Sequence, residues 1–123
     1  MNNAPSPQQI WIKKAEEDFT TALLNAAHAK HDYAAFLFQQ AAEKALKAVL
    51  IKKGQGVIKT HDCFGLAKMA EAPREIVQHA EILTPFYSRT RYPDANIISV
   101  DKQDAERLKK ACIEVITWSK KNC

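Results

Sequence analysis

Glycine is scarce in this chain, with 3 residues in 123, and two of the three stand close together as Gly54 and Gly56. Cysteine is equally scarce: Cys63, Cys112 and Cys123 are odd in number and show no paired spacing. That argues against a disulfide scaffold and against zinc-ligand spacing, so no metal or other cofactor is expected. The longest apolar run, Tyr33 to Phe38, falls far short of the ~20 residues needed to span a bilayer. The first residues carry no charged-then-apolar signal segment. These absences together lead to the expectation of a reduced, cytoplasmic protein without a membrane role. Strand signals are missing too, since Asn96 to Val100 is too short to build a sheet.

What is present is globular. Hydrophobic residues make up 46% and charged residues 26%, a balance that excludes disorder and low-complexity arrays. A chain of this length supports one core and one domain, residues 1–123, with 1–6 expected to be a flexible start. The net charge is +4. Lys44, Lys47, Lys52, Lys53 and Lys59 crowd one region, and Lys109, Lys110, Lys120 and Lys121 crowd the end. Such an excess favours phosphate-bearing or acidic partners, although a lysine run also serves as an ordinary solvated helix face.

The remaining pattern is helical. Ser6, Pro7 and Gln9 form a helix start with a capping box. Trp11, Ala15, Phe19, Ala22, Ala26 and Ala29 then recur every three or four residues, which predicts a helix ending around Lys30. A second helix is expected from an Asp32 cap to Gly54, apolar on most of its circumference. Its narrow polar strip of Gln40, Glu43, Lys44 and Lys47 reads as the wet side. A helix wet on so narrow a stripe is either central to its own bundle or packed on another subunit. Gly54 to Gly56 forces a loop, Thr60 caps a short helix, and Pro73 opens another that Pro85 should kink or divide. Asp101 caps the last helix, with Asp104 favourable in its first turn. The predicted fold is all-α, an antiparallel up-and-down bundle of about four long helices plus a short one.

One cluster stands out for chemistry. Arg89, Arg91, Tyr92 and Asp94 gather where Pro93 stops a helix from running on. Arginine grips phosphate or carboxylate in two parallel hydrogen bonds, and an aromatic ring offers a face to a base. The same residues also suit a purely architectural network, Arg91 pairing with Asp94 and Tyr92 packing inward. Gln39, Gln40, Glu43 and Lys47 either line a polar groove or are simply the exposed stripe. His61 lies between Thr60 and Asp62, whose side chains suit helix capping.

The order of these segments resembles a known family. Trp11 and Phe19, the stretch Tyr33 to Ala48, Thr60-His61-Asp62 and Arg91-Tyr92-Pro93-Asp94 are similar to the HEPN domain, the higher eukaryote and prokaryote nucleotide-binding domain. The likeness runs from about Trp11 to Trp118. It implies a small helical bundle that forms a homodimer. It also implies that such a chain pairs with a minimal nucleotidyltransferase in a two-protein module of toxin–antitoxin type, and binds a nucleotide or RNA. Many relatives in the wider superfamily are metal-independent RNases with an Arg, a spacer of four to six residues, then a His.

This chain departs from that signature. No His follows Arg91, and the spacer ends at Asn96, Ile97 or Ile98. Arg74 and His79 match the spacing literally but precede the expected helix, and residues five apart point about 140° from each other on a regular helix. The expectation is therefore a binding protein rather than an enzyme. Arg89, Arg91, Tyr92 and Asp94 would carry the ligand, with His61 and Lys47 beside them. The alternatives are an RNase with an atypical site drawn from Arg91, His61 or His79, and an adaptor that acts through its protein interface alone.

Overall fold

The computed structural model describes residues 3–91 and 99–123, of 89–91 the backbone only. All regular structure among the described residues is helical: α1 (Pro7–Ala27), α2 (His31–Lys52), α3 (Cys63–Met69), α4 (Arg74–Leu83), α5 (Phe86–Arg91) and α6 (Lys102–Lys121). None of these helices is long and apolar enough to cross a membrane.

The helix ends follow local chemistry. Ser6 accepts the Gln9 N–H while the Gln9 side chain accepts the Ser6 N–H, so the expected capping box opens α1. Asp101 and Asp104 make the same reciprocal pair at α6. Pro85 falls between α4 and α5 and divides the predicted helix there. Gly54 and Gly56 take left-handed φ values of 82° and 74° after α2, a conformation open to glycine at no steric cost.

Three boundaries differ from expectation. α1 stops at Ala27, because the chain reverses through Ala29 in the left-handed region at φ 58°. The capping position of α2 is Lys30, and Asp32 instead accepts the backbone N–H of Val100 at 3.1 Å, tying the approach to α6 onto α2. The cap of α3 is Asp62 rather than Thr60. The Thr60 hydroxyl accepts the Asp62 N–H at 3.2 Å, just ahead of the helix.

α2 is the axle of the bundle, with α1 and α6 packed along it and α3 and α5 set against it; α4 joins α3 to α6. Ala34, Ala35, Ala41, Ala42, Ala45 and Ala48 are all fully buried. Short side chains let the neighbouring backbones approach, while Phe38, Leu46 and Leu50 fill the gaps between them. Phe19 of α1 meets Phe38 edge-on, with ring centres 5.7 Å apart. Ion pairs clip α1 to its neighbours, Asp18 to Lys44 and Glu16 to Lys120.

The polar strip of α2 is the main surprise. Of its residues Glu43 is 3% exposed and Lys47 6% exposed, Gln40 and Lys44 are half-buried, and the adjacent Gln39 is fully buried. α2 thus uses its apolar circumference inside one chain, and its composition does not call for a second subunit.

Candidate functional site

Gln39, Glu43 and Lys47 are spaced four apart, so successive turns of α2 stack them on one face. Burying an amide, a carboxylate and an ammonium is costly unless every group is paired. Here they are. Glu43 Oε2 accepts from Lys47 Nζ at 3.0 Å. Glu43 Oε1 accepts from Gln39 Nε2 at 3.1 Å and from Gln40 Nε2 at 3.4 Å. The same oxygen lies 3.0 Å from His61 Nδ1. The Lys47 ammonium also sits 5.8 Å from the centre of the Trp11 ring, which draws α1 into the arrangement.

His61 comes from the loop between α2 and α3, and three contacts hold that loop in place. Gln39 Nε2 donates to the His61 carbonyl at 3.0 Å. The Thr84 hydroxyl, at the end of α4, accepts the Phe64 N–H at 3.0 Å and lies 3.5 Å from Asp62 Oδ1. Gly65 lies so close to Asp62 that an added Cβ would come within 2.7 Å of its Oδ2. Cys63, next in sequence, is fully buried, and burial followed by the nearby Glu43 charge pushes its thiol far up, keeping it neutral.

The imidazole is fixed twice over. Its Nδ1 faces a carboxylate, which has no proton to give, so Nδ1 carries the N–H and Nε2 is left facing away from Glu43. Its plane is set by Tyr87 of α5, stacked at 3.8 Å and 12°. Phe36 of α2 also meets Tyr87, ring centres 5.9 Å apart and planes tilted by 34°. Even so, the His61 side chain is 51% exposed. The site is therefore a partly open imidazole mounted on a buried acid–base ladder and an aromatic stack.

Of the residues expected to form the site, His61 and Lys47 meet through one carboxylate, Glu43. Lys47 is enclosed there as the counter-ion of Glu43. Arg89 and Arg91 belong to α5, two and four residues beyond Tyr87. Tyr92 and Asp94 lie outside the described residues. His79 sits half-buried on α4 and Arg74 is exposed at the start of that helix, apart from the ladder. Among the described residues no group of acidic, His and Cys side chains has the geometry of a metal site. Tyr87 is the neighbour of His61 that nothing in the sequence singles out. Its stacking on His61, 26 positions away, leaves no local signal. Glu43 and Lys47 do carry one, an i,i+4 ion pair on a helix that is apolar over most of its circumference.

An all-α bundle of six helices among the described residues sets the class of protein. The HEPN domain model matches residues 8–123, and the chain belongs to the HEPN family. Solved structures agree. TT1696 from Thermus thermophilus superimposes with a TM-score of 0.85 at 24% identity, over 94% of this chain and 98% of that one. ST0689, an archaeal HEPN homologue, gives 0.81 at 30% identity, over 95% and 98%. A HEPN domain protein from Thermotoga maritima gives 0.71 at 25% identity, over 90% and 94%. No curated protein sequence is similar to it at a significant level.

Proposed function

We propose that this HEPN chain binds a nucleotide or RNA on the surface around His61 and α5, as one partner of a two-protein toxin–antitoxin module with a minimal nucleotidyltransferase. The observation that carries the binding reading is the half-exposed imidazole held between Glu43 and Tyr87. A side chain restrained that firmly loses little freedom when it meets a ligand. Arg89 and Arg91 follow Tyr87 by two and four residues on α5, and the net charge of +4 favours a phosphate-bearing partner. Lys47 acts through Glu43 and His61 in this reading, while Tyr92 and Asp94 extend the arginine segment. The test is fluorescence anisotropy with labelled single-stranded RNA across a salt series. Binding should weaken with salt, and Arg91→Ala should lower both the affinity and the salt slope, by about one charge for a lost phosphate contact. Unchanged affinity in Arg91→Ala and His61→Ala would move the function elsewhere.

One observation favours a second reading as an RNase. A carboxylate on Nδ1 is the arrangement that orients an imidazole for proton transfer at Nε2. Cleavage of labelled RNA in EDTA, lost in His61→Ala, would support it. Intact RNA under the same conditions leaves binding as the activity.

A further inference from the structure

We infer that the outer face of His61 is the seat of a nucleobase, so that this site recognises its ligand by stacking as well as by charge. The inference rests on the binding reading above. Three features lead to it. Tyr87 covers one face of the imidazole and Glu43 takes the Nδ1 edge, yet the side chain stays 51% exposed. The exposed part of the ring therefore lies away from Tyr87 and Glu43. Phe36, Tyr87 and His61 already form a graded stack running from half-buried to exposed, which a further flat ring would extend outward. The platform is also rigid, since the buried ladder of Gln39, Glu43 and Lys47 sets the ring edge and the loop is tied to α4 through Thr84. A base has a π-face whatever its identity, so this seat is tolerant of sequence. In this reading the phosphate next to that base goes to Arg89 and Arg91, two and four residues beyond Tyr87 on α5. The ligand class is a nucleotide with an unpaired base, either free or in a single strand.

The test compares adenosine 5′-monophosphate with ribose 5-phosphate, and short single-stranded RNA with a chain of equal charge that lacks bases. It uses the wild type, His61→Phe and His61→Ala. Phe keeps a ring on Tyr87 and leaves Glu43 its bonds from Gln39, Gln40 and Lys47, so the fold is preserved. Stacking predicts that each base-free probe binds about 5- to 150-fold more weakly, the range for one stacked base. It predicts that His61→Phe stays close to wild type and His61→Ala falls by the same factor as removal of the base. Equal binding of the base-bearing and base-free probes to the wild type would overturn this inference while leaving a phosphate-binding site intact. So would a His61→Phe variant as weak as His61→Ala, which would assign the contact to Nε2. Absence of binding by all four probes would overturn the binding reading, and this inference with it.

Discussion

Glu43 is the residue on which the rest of the site depends. Its two oxygens face four donors, from Gln39, Gln40, Lys47 and His61, on a helix whose other buried residues are apolar. Removing one member of a buried ion pair strands the other charge in a poor solvent for it. Glu43→Ala is therefore expected to lower stability by about 3–5 kcal/mol, read by urea denaturation. Glu43→Leu combined with Lys47→Met should be far milder, because no unpaired charge remains. A single variant costing less than about 1 kcal/mol would show that the pair is solvated and contributes little. The contrast between sequence and structure is sharpest at these residues. Their spacing is visible in the sequence, and it reads equally as a groove or as a wet stripe. A period of four places residues on one face but does not say what covers that face. The contact of His61 with Tyr87 is invisible there, because it joins two elements that meet only after folding.

Among the elements, α2 bears the strictest packing demand. Its alanines are fully buried, Ala45 among them, and α1, α5 and α6 all pack against this helix. Ala45→Leu should cost about 1–3 kcal/mol through overpacking, with the loss appearing as a lower urea midpoint at an unchanged m-value. An unaltered midpoint would mean that the bundle yields locally around α2. Helix ends are largely legible in the sequence. The capping boxes at Ser6 and Asp101 and the break at Pro85 all follow from backbone donors and proline geometry within four residues. The starts of α2 and α3 are less so. Asp32 is claimed by the Val100 N–H, a tertiary bond that outcompetes the local cap.

At the scale of the whole molecule, α2 is enclosed by its own bundle, so a homodimer has to draw on other surface. Leu23, Leu24 and Ile113 are exposed apolar side chains on α1 and α6, and Phe19 and Ile116 line the groove between those helices. We expect a dimer mass by light scattering at micromolar concentration. We also expect a mixed heteromer when the chain is co-expressed with a neighbouring nucleotidyltransferase. A monomer mass that Leu23→Lys leaves unchanged would sink the dimer. The sequence by itself determined the all-α class, the family and most helix ends, because periodicity, caps and prolines act over one or two turns of chain. Only the tertiary structure decided that Gln39, Glu43 and Lys47 of α2 are buried, that Lys47 serves Glu43, and that a half-exposed His61 stands stacked on Tyr87. Those facts depend on which surfaces meet across the bundle. Burial, which sets the cost of every charge, is a property of the assembled fold and not of any segment within it.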